Sequence, residues 1–310
     1  MRTDVVTGAN GFIGLAVTKE LLRRGDFVYA LVTDDKSLES LPKDNLVIIK
    51  AFFEDYPSLV GQFDRQIDVF YHFAWQGMWG AAFKDYRLQM SNAVNAGVAI
   101  QLAKQIGAKK FVLASTVNVL EAKELLFSPT IQRIRYTMNY SMAKLSAEMI
   151  CRVISTNEGI DFNCVYLAMT YGPGNRALTV QNVTMGKLMN GESPSLIEGN
   201  GLYDLIYIDD ISRGFVAIGE KGKSMKNYYL GHRTLTTFKE LFTEIGRIIN
   251  PSVPLKFGTY PDENRIDYSQ VNFSELERDT GFVPTSDFRE SILATANWVQ
   301  KENLLGGCSK

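Results

Sequence analysis

Residues 7–14 read Thr-Gly-Ala-Asn-Gly-Phe-Ile-Gly and follow a short apolar segment at the start of the chain. The glycine spacing predicts a tight turn at Gly8, close backbone approach at Gly11 and close helix packing at Gly14. In the residues that follow, apolar side chains recur with helical spacing and polar side chains lie between them, so we expect a helix from about Phe12. A strand, a glycine-rich turn and a helix in this order are typical of a dinucleotide-binding unit, in which helix N–H groups face a pyrophosphate. We therefore predict cofactor contacts from Gly8, Asn10, Gly11, Phe12, Ile13 and Gly14.

Length and composition indicate a globular protein. The chain has 310 residues, and its hydrophobic content of 45% suffices for a large core. This length suits one large domain, or a nucleotide domain with a smaller lobe. No apolar run approaches the roughly 20 residues that span a bilayer, and the first predicted strand leaves no room for a signal segment. We therefore expect a cytoplasmic protein without a membrane partner.

Charge and cysteine content argue against nucleic-acid-binding, disulfide-rich and metal-binding proteins. The net charge is −1 and both signs are interspersed, which predicts no nucleic-acid partner. The 3 cysteines and 2 histidines are widely spaced. This spacing indicates neither a disulfide framework nor a zinc site, so we expect no bound metal.

Short apolar segments alternate with helical segments through much of the chain. Strands are predicted at 3–7, 27–33, 46–51, 67–74, 110–116 and 161–170. Helices are predicted near 12–24, 86–106, 137–157, 177–190, 210–219, 236–249 and 287–302. Nearly continuous apolar strands suit a parallel sheet that is covered on both faces. The pattern therefore predicts an α/β protein with a doubly wound parallel sheet, the Rossmann fold, and a smaller C-terminal α/β substrate lobe.

Further motifs occur along nearly the whole chain. They are Tyr140-Ser141-Met142-Ala143-Lys144, the strand end Ser115-Thr116, His72-Phe73-Ala74, Tyr171-Gly172-Pro173-Gly174 and Leu205-Ile206-Tyr207-Ile208-Asp209-Asp210. With the glycine turn, they resemble the extended short-chain dehydrogenase/reductase superfamily, the group of NAD(P)-dependent nucleotide-sugar epimerases, dehydratases and ketoreductases. The resemblance implies an enzyme with a nicotinamide cofactor and a nucleotide-diphosphosugar substrate.

The resemblance also implies how the chain divides and assembles. Residues 1–170 and 205–236 would form the dinucleotide-binding domain, and residues 171–204 and 237–310 the substrate-binding lobe. Proteins of this family commonly dimerise through two helices of the nucleotide domain. We therefore expect a homodimer that forms through the helices near 86–106 and 137–157.

Tyr140 and Lys144 stand four residues apart in a helical pattern, so their side chains share one face of the helix. The resemblance implies that Tyr140 exchanges a proton with a substrate oxygen and that Lys144 also positions a nicotinamide ribose. Lowering the pKa of a phenol from about 10 to about 7 needs roughly 4 kcal/mol. An ammonium about 4 Å away supplies about that much at an effective dielectric of about 20. We therefore expect Lys144 to lower the pKa of Tyr140.

Two hydroxyl residues end the predicted strand before this helix. Aligning Val119 with the valine of the family's Val-Tyr-Gly element gives Thr116 the catalytic position, where its hydroxyl would hold the substrate oxygen. Ser115 remains the alternative and a candidate substrate contact, because Leu120-Glu121 replace the Tyr-Gly of that element. Dehydratases of the family carry Asp-Glu after the threonine, whereas Val117-Asn118 of this chain provide no acid or base. The sequence therefore argues against 4,6-dehydration.

The end of the second predicted strand bears on the cofactor, because a carboxylate there binds an NAD ribose and a cation suits the NADP phosphate. The resemblance places Val32 at the usual acidic position and Thr33 at the usual basic one. The missing carboxylate favours NADP, with Thr33 and Lys36 near its phosphate, whereas Asp34 and Asp35 favour NAD. We predict NADP, with NAD as the alternative.

Two more segments resemble parts of the family that border the cofactor. His72-Phe73-Ala74 matches the family's His-Leu-Ala-Ala element, in which Ala74 would pass close to the cofactor. His72 itself is predicted to be a packed core residue. The turn before Asp55 resembles the family's adenine-contacting Asp-x-x-Asp, but Phe52 stands at its first aspartate. The adenine contacts are therefore left open.

Candidates for the substrate site lie in several parts of the chain. Guanidinium groups bind phosphate oxygens through paired donors, and we predict diphosphate contacts from Asn175, Arg176 and Arg265. Tyr203 stands where the family often has an arginine. The loop after Ala74 would either wall the sugar pocket or pack as core, through Trp75, Met78 and Trp79.

The observations lead to one preferred reaction and two alternatives. With no dehydratase pair and no clear NAD carboxylate, we predict NADPH-dependent reduction of a 4-keto-6-deoxy sugar nucleotide. The first alternative is an NAD-dependent nucleotide-sugar 4-epimerase that uses the same three catalytic residues, Thr116, Tyr140 and Lys144. The second is a non-catalytic dinucleotide-sensing protein, although such proteins usually lose the tyrosine or the lysine.

Overall fold

The computed structural model describes residues 1–127, 134–260 and 266–305. The chain forms two compact units. The first unit contains Met1–Leu167, Ile211–Leu230 and Ser269–Val283, and the second contains the rest of the described chain. Arg265, one of the predicted diphosphate residues, lies outside the described residues.

Thirteen strands and ten α-helices occur in the part of the chain that the structure describes. The strands are β1 Thr3–Thr7, β2 Phe27–Val32, β3 Leu46–Lys50, β4 Val69–His72, β5 Lys110–Thr116, β6 Asp161–Leu167, β7 Met169–Tyr171, β8 Ser195–Ile197, β9 Leu202–Tyr203, β10 Leu205–Tyr207, β11 Lys226–Leu230, β12 Thr236–Thr237 and β13 Lys256–Tyr260. The helices are α1 Phe12–Arg23, α2 Gly80–Lys84, α3 Tyr86–Gln105, α4 Val119–Phe127, α5 Met138–Glu158, α6 Val180–Met189, α7 Ile208–Lys221, α8 Phe238–Ile249, α9 Glu275–Thr280 and α10 Phe288–Lys301.

Seven parallel strands form the central sheet of the first unit, in the order β11-β6-β5-β4-β1-β2-β3. The order reverses between β1 and β4, where Thr7 and His72 lie in register. In such a sheet, the crevice outside the carboxyl ends of the strands at the reversal is the usual ligand site. The predicted α/β class and doubly wound parallel sheet are confirmed.

Burial explains why these segments form a sheet covered on both faces. Every residue of β1 and of β2 is buried, as expected for central strands beneath helices on both sides. Helix α1 buries Gly14, Val17, Thr18 and Leu21, one stripe of its surface. Helix α5 ends where Gly159 takes a left-handed conformation, with φ of 68°.

Some predicted segments differ from the structure. The predicted strand 161–170 is two strands, because β7 leaves the central sheet and pairs with β10. The strand β11, at the edge of the sheet, was not predicted, since Lys226-Asn227 at its start are polar. The short helices α2, α4 and α9 were not predicted either.

The second unit has its own core beneath α6, α8 and α10. Small strand pairs complete it: β10 with β7, β12 with β9, and β13 with β8. A capping box begins α8, in which Thr237 Oγ1 accepts from Glu240 N at 3.2 Å and the Glu240 carboxylate accepts from Thr237 N at 3.0 Å. The next turn stacks Phe238 on Phe242, with centroids 4.0 Å apart.

The observed units differ from the predicted domains in four segments, the first of which is residues 168–170, predicted in the nucleotide domain but part of the second unit. Residues 205–210 and 231–236, predicted in the nucleotide domain, belong to the second unit, where β10 pairs with β7 and β12 with β9. Residues 269–283, predicted in the substrate lobe, belong to the first unit. There Lys226 of β11 forms an ion pair with Glu275 of α9 at 2.5 Å. Polar contacts with a sheet edge carry no apolar pattern that sequence reasoning would detect.

No helix of the described residues is long and apolar enough to cross a membrane. The described residues also contain no group of three or more His, Cys, Asp or Glu side chains placed to hold a metal.

Candidate active site

The glycine turn is built so tightly that side chains would not fit. Gly8 has φ of +65°, and a Cβ there would lie 2.8 Å from Ala74 N. A Cβ on Gly14 would lie 2.2 Å from Gly8 O, which is backbone that cannot move aside. Gly11 N donates to Gly8 O at 2.9 Å and closes the turn. These contacts explain the glycine spacing and place Ala74 beside the turn.

An open cleft lies along this turn and encloses about 620 Å³, including its mouth. Its lining includes five of the predicted cofactor residues, namely Gly8, Asn10, Gly11, Thr33 and Ala74. Asn10 Nδ2 donates to Thr33 Oγ1 at 3.4 Å across it. Helix α1 begins at Phe12, so Phe12 and Ile13 lie in its first turn, where N–H groups have no partner within the helix. Gly14 is buried beneath the turn.

The two acidic residues after β2 form ion pairs with lysines. Asp35 pairs with Lys50 at 3.0 Å, and Asp34 lies 3.8 Å from Lys36. The hydrogen bond from Lys50 holds the pKa of Asp35 below its usual value. No carboxylate is among the described residues that line the cleft.

Phe52 takes an exposed position in the cleft, with 56% of its surface accessible. It caps a 3-10 helix at Phe53–Ser58, and its N–H donates to Asp55 Oδ2 at 2.8 Å. The Asp55 carboxylate is thereby bound to the backbone of its own turn. An aromatic ring therefore occupies the position of the first aspartate of the resembling element.

Thr7 organises the end of β4 next to the cleft. Its Oγ1 accepts from Phe73 N at 3.2 Å and from Ala74 N at 3.3 Å, and lies 2.9 Å from His72 Nδ1. His72 is buried, and burial with the charge of Lys144 lowers its pKa to about 3. His72 is therefore neutral, in agreement with the prediction of a packed histidine.

The side chains of Tyr140 and Thr116 meet at the carboxyl edge of the sheet. The hydroxyl of Thr116, the last residue of β5, lies close enough to the Tyr140 phenol of α5 to favour its phenolate form. Successive strand residues point to opposite faces, so the buried Ser115 hydroxyl lies instead beside the Cys164 thiol of β6. The structure thus brings Thr116, and not Ser115, to the phenol.

Lys144 lies one helical turn after Tyr140 and is only 5% exposed. Its Nζ donates to Ala114 O at 2.9 Å and lies 3.6 Å from the ring centroid of Trp75. Its distance to the centroid of the Tyr140 ring is 5.9 Å. Burial lowers the pKa of Lys144 to about 7.

The prediction that Lys144 lowers the pKa of Tyr140 is wrong. Burial raises the pKa of Tyr140 well above its usual value, and the nearby Thr116 hydroxyl only partly offsets that rise. Two physical reasons account for the difference. The phenol is almost fully removed from water, and the Lys144 ammonium is directed at a carbonyl and an indole. Sequence spacing gives neither the burial nor this direction.

The loop after Ala74 is anchored by two buried amides of α3. Trp75 Nε1 donates to Gln89 Oε1 at 2.9 Å, and Gln89 Nε2 donates to Gly77 O at 2.8 Å and to Ala82 O at 3.0 Å. Asn92 Oδ1 accepts from Gln76 N at 2.8 Å, and its amide returns a bond to Gln76 O at 3.0 Å. The role of Gln89 was not predicted, and a polar residue among the buried positions of a helix is the signal that could have revealed it.

A mainly apolar pocket of about 760 Å³ opens beside Tyr140. The Phe83 ring lies 4.7 Å from the Tyr140 ring, and Trp75 contacts the same ring edge to face at 6.1 Å. The pocket is lined by Met78, Trp79, Gly80, Phe83, Lys84 and Tyr140. The predicted wall residues Met78 and Trp79 thus line the same pocket as Tyr140.

The predicted diphosphate residues belong to the second unit. Asn175 is buried, and its Oδ1 accepts from Ala177 N at 3.2 Å within its own turn. Arg176 is exposed and pairs with Glu302 at 2.7 Å. Tyr203 packs edge to face on Phe238 at 5.1 Å, so an aromatic contact occupies the position of the family's arginine. Diphosphate binding by Asn175 and Arg176 stays a prediction, as does that by Arg265, which is not among the described residues.

Comparison with known proteins adds independent findings. Residues 5–231 match the family described as NAD dependent epimerase/dehydratase. A UDP-glucuronate 4-epimerase of Thermodesulfobacterium geofontis is 24% identical, over 97% of this chain and 96% of that protein. A dTDP-glucose 4,6-dehydratase of Streptomyces griseus is 24% identical, over 96% of this chain and 94% of that protein.

Solved structures have the same fold. The UDP-glucose 4-epimerase of Thermotoga maritima, solved with UDP-glucose, has a TM-score of 0.79 at 20% identity, over 97% of this chain and 99% of that one. The UDP-glucuronic acid 4-epimerase of Bacillus cereus, solved with UDP-glucuronic acid and NAD, has a TM-score of 0.79 at 22% identity, with the same coverage. At these identities, the likeness establishes the fold.

Proposed function

Because the chain belongs to the NAD-dependent epimerase/dehydratase family, we propose that this enzyme transfers hydride at C4 of a nucleotide-diphosphosugar. The observation that carries the proposal is the placement of the Thr116 hydroxyl beside the Tyr140 phenol, with Lys144 one turn away, at the carboxyl edge of the sheet. The proposed reaction is NADPH-dependent reduction of a 4-keto-6-deoxy sugar nucleotide.

The cleft fits a dinucleotide. Because Gly8 and Gly14 have no side chains, the turn can lie directly against Ala74 and against the start of α1. The Asn10 and Thr33 side chains and the first-turn N–H groups of α1 supply polar contacts. When bound, the nicotinamide ring supplies or accepts the hydride.

The side chains of this chain perform the proton transfer in the proposed reaction. Tyr140 gives its phenolic proton to the sugar carbonyl oxygen, and Thr116 donates a hydrogen bond to the same oxygen. The phenolate that results is buried, so it needs a positive charge nearby. Lys144 supplies that charge when it is protonated, and it is therefore the residue whose protonation limits the reaction.

A 4,6-dehydratase reaction has less support, although a relative has that name. The positions after Thr116 are Val117 and Asn118, and Asn118 N donates to Thr116 Oγ1 at 3.2 Å. Neither side chain ionises, so this segment offers no acid and base for removal of water.

The second candidate is a nucleotide-sugar 4-epimerase. The names of several relatives and structural neighbours favour it. Epimerisation would use Tyr140 twice, first to take a proton from the sugar hydroxyl and then to return it after the keto sugar has turned over. The two candidates differ in whether the nicotinamide cofactor is consumed.

The preference for NADP also belongs to the proposal. Both acidic residues after β2 form ion pairs with lysines. Among the described residues, the lining of the cleft has no carboxylate that could bind a ribose. Thr33 lines the cleft and Lys36 follows closely in the chain. The 2′-phosphate of NADP would meet this hydroxyl and this cation.

Purified protein tests the function. We expect stoichiometric loss of NADPH absorbance with a 4-keto-6-deoxy sugar nucleotide, and weaker use of NADH. Tightly retained NAD, with interconversion of C4 epimers and no net cofactor consumption, would replace the reductase proposal by the epimerase. Dinucleotide binding without turnover of any sugar nucleotide in a broad panel would contradict both and favour a sensing role.

The proposed homodimer is supported by an apolar helix face. Helices α3 and α5 pack side by side, and Gly97 allows the contact because a Cβ there would lie 2.9 Å from Ile150. The outer faces of both helices expose large apolar residues, namely Met90, Val94, Met149 and Val153. Analytical ultracentrifugation tests the proposal, and a monomer at micromolar concentration would contradict it.

A further inference from the structure

Lys144 is a buried lysine that has no carboxylate partner among the described residues. It is 5% exposed, and the described residues place no carboxylate within ion-pairing distance of it. Its one hydrogen bond goes to the carbonyl oxygen of Ala114. A buried ammonium ordinarily requires a partner, because removal from water strongly disfavours the charged form.

The titratable groups around Lys144 supply no unpaired negative charge at neutral pH. His72 of β4 is neutral, because burial lowers its pKa to about 3. Cys164 of β6 is a neutral thiol, since burial raises its pKa well above the usual value. The pKa of Tyr140, on α5 itself, is raised in the same way. Glu148, one turn further along α5, is a buried carboxylate that pairs with Arg152 at 3.0 Å.

The indole of Trp75 takes the place of an anion. The Lys144 Nζ lies 3.6 Å from the centroid of its ring, well inside the range of a cation–π contact. Trp is the best aromatic partner for a cation, and desolvation strengthens the attraction. The face of the ring carries the negative end of its quadrupole, so this contact favours the ammonium over the neutral amine.

The indole is fixed in this orientation from two sides. Its Nε1 donates to Gln89 Oε1 at 2.9 Å, and the Gln89 side chain is fully buried and bound to two loop carbonyls. Its ring contacts Tyr140 edge to face, at an interplanar angle of 84°. Trp75 also follows directly on Ala74, which is packed against the glycine turn. The last alanine of the resembling His-Leu-Ala-Ala element corresponds to this tryptophan.

We propose that Trp75 is a positioning residue that favours the protonated form of Lys144 and holds its ammonium against the indole face, one helical turn from Tyr140. The proposal assigns Trp75 to the machinery of proton transfer, whereas the sequence suggested either a wall of the sugar pocket or core packing. Its consequence for turnover rests on the proposed function, but its consequence for the protonation of Lys144 does not.

The test is a titration of Lys144 in the whole protein by NMR, with carbon-13 at the lysine side chains and the Lys144→Met variant to assign the signal. The variant Trp75→Leu removes the ring face but keeps the site apolar and closed. An alanine would admit water, which itself stabilises the ammonium and would hide the effect. We expect the pKa of Lys144 to fall by about one unit in Trp75→Leu.

Two control variants define the cause. Trp75→Phe keeps a ring face but loses the Nε1 hydrogen bond, so its pKa is expected between those of the parent and Trp75→Leu. Trp298→Phe changes a tryptophan of α10, which belongs to the other unit, and is expected to leave the Lys144 pKa unchanged. An unchanged or raised pKa in Trp75→Leu would overturn the proposal.

Folding of each variant is checked by circular dichroism. If Trp75→Leu fails to fold, Gln89→Met provides the decision, because it releases the indole without touching the ring. The pKa of Lys144 is then expected to fall by less than one unit, and no change in Gln89→Met would overturn the proposal.

Kinetics separate this proposal from the proposed function. The basic limb of the profile of kcat/KM against pH should move to lower pH in Trp75→Leu by the same amount as the NMR titration. If the parent enzyme turns over no sugar nucleotide, the proposed function fails and the NMR titration still decides the role of Trp75. If turnover is present and the two shifts disagree, the link from Trp75 through Lys144 to proton transfer is wrong.

Discussion

The glycine turn at residues 8–14 and the loop at residues 75–84 both border the candidate active site, but different means shape them. The turn is shaped by backbone, since an added Cβ at Gly8 or Gly14 would meet backbone atoms at 2.8 Å or less. The loop presents large side chains, and buried amides of α3 hold its backbone and the Trp75 indole in place. A backbone site can be recognised from a short motif, whereas a side-chain site depends on partners that are distant in sequence.

Between the two regions lies the phenol of Tyr140, and its removal has the largest expected effect. In Tyr140→Phe, turnover should fall by about 10³-fold, because a general acid or base contributes 10²- to 10⁴-fold. The dissociation constant of the dinucleotide should stay near that of the parent, since the glycine turn is untouched. Steady-state kinetics and calorimetry measure the two quantities. Full turnover in this variant would remove Tyr140 from the mechanism.

The backbone nature of the turn predicts a large loss of stability in Gly14→Ala. The new Cβ would stand 2.2 Å from Gly8 O, and such overpacking should lower the free energy of unfolding by about 3 kcal/mol. The matched control is Gly61→Ala, because a Cβ at Gly61 meets nothing within 4 Å. Urea unfolding compares the two, and equal stabilities would show that the turn is not rigid.

Thr116 and Ser115 give a sharper comparison on one strand end. Loss of one donor to a developing oxyanion costs about 10²-fold in turnover, and this is expected for Thr116→Val. Ser115→Ala should stay near the parent, because that hydroxyl lies beside Cys164 instead of Tyr140. The reverse order of kcat values would reassign the catalytic hydroxyl to Ser115.

Substitutions of two phenylalanines distinguish the role of the cleft from that of the pocket, and they have the smallest expected effects. Phe52 lines the cleft and Phe83 lines the apolar pocket beside Tyr140. Phe52→Ala should weaken dinucleotide binding about tenfold with little change in the KM of the sugar nucleotide, and Phe83→Ala should do the opposite. Titration with each ligand tests the pair. Equal effects of both variants on both ligands would mean that the two regions do not act separately.

Much of the first unit could be predicted from the sequence. Strands β1 and β5 have the predicted bounds, and the glycine turn, Tyr140 and Lys144 lie where their motifs indicated. These features follow from local rules, namely apolar runs for buried strands, glycine where a Cβ is excluded, and helical spacing for residues that share a face.

The rest depends on contacts between distant segments. Trp75 and Lys144 are far apart in the chain, and no spacing rule predicts that an indole covers the ammonium. The raised pKa of Tyr140 depends on its burial, which is a property of the assembled site. The edge strand β11 begins with polar residues and gains its place by pairing with β6.

The central claim is that hydride reaches C4 of a nucleotide-bound sugar while Tyr140 transfers a proton. The most direct measurement uses NADPH that carries deuterium at the transferable position, together with a 4-keto-6-deoxy sugar nucleotide, and locates the label by mass spectrometry and NMR. We predict one deuterium, bound to C4 of the sugar. Label retained on the cofactor, or found at another carbon of the sugar, would contradict the account.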